Sequence, residues 1–508
     1  MRFRKSESKK KKQGNLPKKD SENVGILSLE KIKSQLNYTD DLKDRDIHID
    51  DQIYVLLYIT SLVDQEKLES KVIEPIIETL SKVDNNISNL VYSQGITSIQ
   101  SNESAINGLL DGNCLLMEKG NPKEGYLLEV NQTIGRLVNI SFSENTVTGP
   151  NESFVENVNI NISLLRKRVK TPNFTFKKYS LGSETTVDVA LIYVDKLVNP
   201  DILQKVDERL KSIDLDSIRS SGDIQDFIED HTFSPFPQIL VTERPDRAAA
   251  NLMDGRVVLV IDGDPSVFVL PATIMMFFHS QDDDNSRWYL GSFFRILRLI
   301  GFVNALLLPA IYIAIVSYHL EIIPMELIYS LQSSLSYVPF RPIVELILMQ
   351  ISLELLREAS IRLPPVVAQT FGIVGALVVG TAMVEAGLVS YGGLIIVAIT
   401  AVSSFVQPNI EMSSTIRVLG FPLMLLAAMF GFVGIAFGVF FLLIHLSRLT
   451  SFGVPYFTPF APLNIREFKN TVIRIPKWMQ DNHSNNPSPS KRGNRSRKWK
   501  SHESEEPY

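Results

Sequence analysis

The sequence predicts an α/β N-terminal region of two related subdomains, followed by a polytopic α-helical membrane domain of four to six transmembrane helices. Three observations lead there. Charge is uneven along the 508 residues: the net charge is only −5, yet the first twenty residues hold nine Lys/Arg against two acids, and long runs after residue 299 hold no charge at all. From residue 52 the pattern turns globular, with β-branched and aromatic runs of strand length such as QIYVLLYIT. A strand-to-helix signature then recurs. Tyr58-Ile59-Thr60-Ser61-Leu62-Val63-Asp64 aligns with Tyr193-Val194-Asp195-Lys196-Leu197-Val198-Asn199, each followed by an acid (Glu66, Asp201) and a leucine (Leu68, Leu203).

Taken in order, residues 1–46 read as a disordered, Lys-rich tail, because Lys, Ser and Asn cannot bury a core. Its KKKK run suits solvent or anionic headgroups equally. Residues 47–165 form α/β subdomain I, and 166–285 form subdomain II with a juxtamembrane linker. Arg166-Lys167-Arg168 reads as a solvated helix end, where cations suit the dipole. The stretch 243–265, ERPDRAAANLMDGRVVLVIDGDP, has eight charged residues among its twenty-three. Pro245 suits a helix start, Asp254-Gly255 a helix end, and Asp262-Gly263-Asp264-Pro265 a turn after a short strand. Its charges therefore serve as caps and turns.

Residues 286–450 form the membrane domain. Phe277-Phe278-His279 and Trp288-Tyr289 read as headgroup-level residues. Runs at 299–320, 364–384, 388–408 and 422–446 are each long enough to cross about 30 Å of hydrocarbon. The segment 323–362 between the first two is ambiguous. On a helix, Gln350, Glu354 and Glu358 fall at i, i+4 and i+8 as one polar stripe, which lines a wet cavity or pore, or pairs with Arg357 and Arg362. If 323–338 and 342–358 both insert, the count rises from four to six. Arg287, Arg295 and Arg298 before the first span, and Arg448, Arg466, Lys469 and Arg474 after the last, place both termini in the cytoplasm. Small residues mark packing or oligomer faces: Gly372, Ala376 and Gly380, then Ala427 and Gly431, Gly434 and Gly438. Val374 and Val378 lie off the first of these faces, where a ring of valines from several copies would make an apolar constriction. Residues 451–508 read as a cytosolic basic tail, disordered from about 480.

Chemical signatures of catalysis are missing. There is no P-loop, no dinucleotide fingerprint, no HExxH and no CxxC, so neither an enzyme nor a cofactor or metal is expected. The single cysteine, Cys114, allows no internal disulfide. Asp230-His231 with Ser234 lacks the geometry of a triad. Asp282-Asp283-Asp284 reads as a solvated acidic loop. Neither charge nor motif asks for nucleic acid.

Several ordered motifs nevertheless resemble one family. They are Gly149-Pro150 with Phe154-Val155-Glu156, the Arg166-Lys167-Arg168 end, Ser234-Pro235-Phe236-Pro237-Gln238-Ile239, Glu243-Arg244-Pro245-Asp246, Leu355-Leu356-Arg357-Glu358-Ala359 with Arg362-Leu363-Pro364, and Ser451-Phe452-Gly453 with Pro455-Tyr456-Phe457. Over about residues 50–475 the chain is similar to the A subunits of spore germinant receptors, the GerA family. The Lys-rich extension is longer than usual there, and DGDPSVF stands in place of a DGTP-like turn. The resemblance implies an inner spore membrane protein that works with a transporter-like B subunit and a lipoprotein C subunit. It also implies nutrient sensing and oligomerisation into a ligand-gated cation channel. A non-conducting scaffold is the other possibility the residues leave open. On this resemblance Glu243, Arg244, Pro245 and Asp246 couple the cytosolic domain to the membrane helices.

Overall fold

The computed structural model describes residues 27–49, 52–79, 95–119, 124–132, 144 and 148–476. The chain divides into two compact units, Met1–Thr133 and Ile134–Tyr508.

In the first unit, helix α1 (Leu29–Gln35) precedes strands β1 (Leu42–Ile49) and β2 (Gln52–Ile59). Helix α2 then runs through Gln65–Leu68, a π-helical turn at Glu69–Ile73, and Glu74–Thr79. Strand β3 (Ile96–Ile99), helix α3 (Asn102–Leu110) and strands β4 (Asn113–Glu118) and β5 (Gly125–Glu129) complete it. The sheet order is β1-β2-β4-β5-β3, antiparallel throughout. Alternate strand residues bury against opposite layers. Val55, Leu57 and Ile59 meet α1 and α3, whereas Leu56, Cys114 and Leu116 meet α2. Burial pushes the Cys114 thiol up to about 12, so it is unreactive near neutrality.

The expected tail of residues 1–46 is corrected here. Leu27, Ile32 and Leu36 are fully buried, and β1 starts at Leu42. The spacing Leu29, Ile32, Leu36 is a helical stripe that the surrounding lysines mask in composition. The KKKK run itself lies outside the described residues, as does everything after residue 476.

The second unit repeats the topology. Helix α4 (Val158–Arg168) leads into β6 (Phe174–Leu181), β7 (Val187–Val194), α5 (Pro200–Lys211), α6 (Ser221–Ile228), β8 (Leu240–Thr242), α7 (Pro245–Met253), β9 (Val257–Ile261) and β10 (Val267–Leu270). The order β6-β7-β9-β10-β8 is that of the first sheet, strand for strand. The repeated signature has a local cause. Asp64 and Asn199 are the N-caps of α2 and α5, their side chains accepting from the Lys67 and Asp201 amides. Val189, Leu191 and Tyr193 of β7 pack on α5 and α6, while Ala190, Ile192 and Val194 pack on α4 and α7. Residues 158–165, expected in subdomain I, therefore belong to the second sheet, because α4 buries Val158, Ile162 and Leu165 there. Arg166 is also not solvated. It is 1% exposed and its guanidinium stacks 4.5 Å over the Phe174 ring.

The helices follow: α8 (Gln281–Asn285), α9 (Trp288–Tyr318), α10 (Met325–Ser336), α11 (Pro342–Ile361), α12 (Pro365–Glu385), α13 (Tyr391–Phe405) and α14 (Ile410–Arg448). By length and composition α9 and α14 are apolar enough to cross a membrane. The single span expected at 422–446 is corrected, because α14 is a hairpin. Gly431 sits at φ 59°, ψ −140°, a backbone that favours glycine. Tyr318 Oη donates to the carbonyls of Ala428 and Met429 at 2.6 and 3.2 Å, satisfying the end of the first arm. In a straight helix Thr415 and His445 would stand about 45 Å apart. Instead Thr415 Oγ1 donates to the Pro235 carbonyl at 2.6 Å, and His445 Nε2 lies 2.8 Å from Ser234 Oγ.

These contacts define a near end of the bundle, against the second sheet, and a far end at Tyr318 and Gly431. Among the described residues six helical passages link the two: α9, α11, α12, α13 and the two arms of α14. Helix α10, expected as a possible span, is a 12-residue helix at the far end, where Ser334 Oγ accepts from the Tyr391 amide. The stretch after α14 is no tail. Strands β11 (Thr450–Ser451) and β12 (Val454–Pro455) return to the second sheet, with Phe452 and Tyr456 buried, and helix α15 (Ile465–Val472) packs against the start of α9.

Candidate functional site

The junction between the second sheet and the near end is built from buried charge. Arg244 is 2% exposed and grips Asp246 with two bonds, Nε to Oδ1 at 3.0 Å and Nη2 to Oδ2 at 2.7 Å. Its Nη2 also donates to the Pro150 carbonyl at 2.9 Å. The Glu243 carbonyl accepts from Phe154 N at 2.8 Å, and Pro245 opens α7. One residue on, Arg247 pairs with Glu144 at 2.6 Å and donates to the Met276 and His279 carbonyls at 2.8 and 3.3 Å. The motif thus ties the loop before α4 to the segment that enters the helices.

That segment holds the correction to the acidic loop. Asp283 is 1% exposed, and its Oδ2 lies 2.6 Å from Arg298 Nη1 and 3.3 Å from Arg295 Nε. The capping box at Ser280 turns Asp283 inward as the third residue of α8. Arg295 and Arg298, one turn apart on α9, face it. From sequence alone both arginines read as orientation markers and the acids as solvated, since neither partner announces the other. Phe277 and Phe278 are likewise buried, and His279 is half-buried against the Thr471 carbonyl, rather than set at a headgroup level, whereas Trp288 and Tyr289 are about half exposed. Arg474 closes the junction, pairing with Asp284 and donating to the Asp284 and Ser286 carbonyls.

His279 Nε2 lies 2.9 Å from the Thr471 carbonyl. Burial, then Arg295, hold its pKa well below the ordinary histidine value. The unfolded chain therefore binds the proton first, and stability is lost as pH falls below about 6.5. Thermal denaturation of the full-length protein should lose up to about 1.4 kcal/mol per pH unit more between pH 6.5 and 5 than His279→Gln does. Equal losses in the two proteins would show that His279 is not held neutral.

Within the bundle, α11, α12, α13 and the first arm of α14, with Ala305 of α9, line a part-open cavity of about 550 Å³. Gln350 and Glu354 line it, with Arg357, Arg417, Thr400 and Ser404. Glu354 pairs with Arg417 Nε at 3.1 Å rather than with Arg357. Arg357 donates to Ser404 Oγ at 3.3 Å and lies 4.2 Å over the Phe405 ring. Glu358, expected on the same stripe, is exposed and pairs with Arg362 at 2.5 Å; it is not among the lining residues. A 100° step per residue drifts by 40° every four, enough to carry Glu358 out of the cavity.

The small residues divide in two. Gly372 and Gly380 line the cavity, and a Cβ at Gly372 would meet nothing within 4 Å, so Gly372 is not a packing contact within the chain. Gly434 and Gly438 lie on the inner side of the α14 hairpin. A Cβ there would sit 2.0 Å from the Leu426 carbonyl oxygen and 2.4 Å from Leu423 Cδ2, respectively. Gly431 is the turn itself. Val378 is 55% exposed on the outside of α12; the side chains of Val374 and Ala376 lie outside the described residues. The Asp230, His231, Ser234 sequence does not assemble as a triad. Asp230 pairs with Arg209 at 2.6 Å, and Ser234 meets His445.

Fold and site together define a class: two topologically identical α/β subdomains followed by an apolar helical bundle that is anchored to the second sheet by buried ion pairs. The family model described as Bacillus/Clostridium GerA spore germination protein matches residues 30–486. This chain belongs to that family. It is 35% identical over 462 residues to spore germination protein KA of Bacillus subtilis (strain 168), covering 89% of this chain and 85% of that protein. It is 38% identical over 427 residues to an uncharacterized membrane protein, YfkQ, of the same organism, covering 83% of each. The crystal structure of the N-terminal domain of the A subunit of the Bacillus megaterium spore germinant receptor GerK3 aligns with 48% of this chain and 94% of that one. The identity is 25% and the TM-score 0.37.

Proposed function

We propose that this chain is the A subunit of a nutrient germinant receptor in the spore inner membrane. In this reading the α/β subdomains and both termini are cytoplasmic, and the helices span the bilayer. The chain works with a transporter-like B subunit and a lipoprotein C subunit, and copies of it assemble into a ligand-gated cation channel. The family match across residues 30–486 carries the reading. It is supported by the apolar outer surface of the bundle, where Leu377, Val378, Ile395, Ile399, Phe437 and Phe441 are exposed to whatever surrounds it. The buried Asp283–Arg298 pair supplies a rigid link by which movement of the second sheet reaches α9.

In this proposal Val374 and Val378 of neighbouring copies form the apolar constriction, and Gln350 and Glu354 set the polarity inside each copy. Reconstitution with B and C partners in a bilayer under a nutrient panel should give a gated conductance. Val378→Ala should raise its resting level, and Glu354→Gln should change its gating. Silence from intact oligomers, with germination unaffected by either substitution, favours the non-conducting scaffold.

A further inference from the structure

The bundle cavity has a chemical polarity of its own. Its near end holds two guanidinium groups, Arg357 and Arg417, against one carboxylate, Glu354. Arg417 takes that carboxylate at 3.1 Å and the hydroxyls of Ser413 and Ser414 at 2.8 and 3.0 Å. Arg357 is left with a neutral hydroxyl, Ser404, and the face of Phe405, and among the described ion pairs none includes it. Away from this end the walls are mostly apolar, with Leu353, Val379, Leu394, Val397 and Phe421 beside the uncharged Gln350 and Thr400. From Leu394 to Phe405 along α13 the slot runs about 16 Å. Its volume of about 550 Å³ falls within the range of roughly 300–1,000 Å³ of small-molecule sites. Gly372 opens space in one wall, with no atom within 4 Å of where a Cβ would stand.

We propose that this cavity binds an anionic phospholipid of the surrounding bilayer, its head group on Arg357 at the near end and an acyl chain in the apolar slot. The reasons are charge and placement. Two guanidinium groups facing one carboxylate leave one positive charge in excess, which calls for one anion, and a basic pocket between helices at the cytoplasmic headgroup level suits an acidic lipid. A free water-soluble anion would leave the apolar walls unfilled. The inference rests on the helices spanning the membrane. The lipid then acts as a wedge between α11, α12 and α13, and its occupancy sets how closely those helices approach.

The test uses the full-length chain purified in detergent, with dioleoylphosphatidylglycerol, dioleoylphosphatidylcholine or oleate added and bound lipid counted by native mass spectrometry. Phosphatidylglycerol should bind about tenfold more tightly than phosphatidylcholine. Arg357→Gln should erase that preference, and Gly372→Leu should reduce retention of both lipids by filling the slot. Arg362→Gln, on the outer surface, should change neither. Thermal midpoints of the variants separate lost binding from lost folding. Equal affinity for the two phospholipids, or a preference that survives Arg357→Gln, overturns the proposal, and binding of oleate alone overturns the phospholipid assignment. Alkaline extraction of membranes distinguishes the two failures. A chain that stays in the pellet without lipid preference sinks this site alone; a released chain sinks the spanning reading beneath it.

Discussion

Asp283→Asn is expected to destabilise the second unit by about 3–5 kcal/mol, the cost of leaving buried cations without their anion. Asp283 is 1% exposed, and it is the shared partner of Arg298 at 2.6 Å and Arg295 at 3.3 Å. Removing its charge leaves Arg298 Nη1 with the Phe278 carbonyl at 3.3 Å, and Arg295 with the Thr471 carbonyl at 3.4 Å and the half-exposed Asp284 at 3.7 Å. An amide of the same shape keeps the packing, so the loss reports electrostatics rather than a cavity. Asp282→Asn is the matched control. Asp282 accepts long bonds of 3.2 and 3.4 Å from Thr148 and should cost under about 1 kcal/mol. Adding Arg298→Met to Asp283→Asn should recover part of the loss, because the pair then becomes neutral together. Thermal denaturation of the four proteins in detergent checks this. Indistinguishable midpoints for the two Asp→Asn variants would mean the pair is not buried as described. Since the same pair joins the segment after the second sheet to α9, spores carrying Asp283→Asn should also germinate poorly.

The second large effect concerns the α14 hairpin. Gly434→Ala places a Cβ 2.0 Å from a backbone oxygen, that of Leu426, which cannot rotate away. The two arms must separate, at a cost of about 1–3 kcal/mol or more. Gly438→Ala meets a leucine methyl at 2.4 Å, which a rotamer change relieves, so its cost should be smaller. Gly372→Ala has room and gains helix propensity, so it should be neutral or slightly stabilising in the isolated chain. Midpoints in the order Gly372→Ala, Gly438→Ala, Gly434→Ala, from highest to lowest, support the hairpin. A tolerated Gly434→Ala refutes it. Gly372→Ala also bears on assembly: a drop in oligomer mass with an unchanged midpoint would show that Gly372 faces a neighbouring copy.

The sequence reached its furthest where local chemistry is self-sufficient. Strand β2 and helices α7, α12 and α13 are legible from runs of one periodicity and from Pro or Gly at their ends. The repeat was visible because Asp64 and Asn199 do the same capping work after the same kind of strand. Family membership was carried by motifs such as Glu243-Arg244-Pro245-Asp246, whose spacing is linear by nature.

What the sequence by itself determined, then, was the order of soluble and apolar segments, the doubled α/β unit and the family. Only the tertiary structure decided that Asp283 is an anchor and not a solvated acid, that Glu354 takes Arg417 from a helix sixty residues away, and that 422–446 turns back at Gly431. Each of these depends on a partner distant in sequence, and neither hydropathy nor periodicity carries distance information. A charge that is solvated and a charge that is buried against its opposite look alike in a chain of letters, because what separates them is the desolvation that folding imposes.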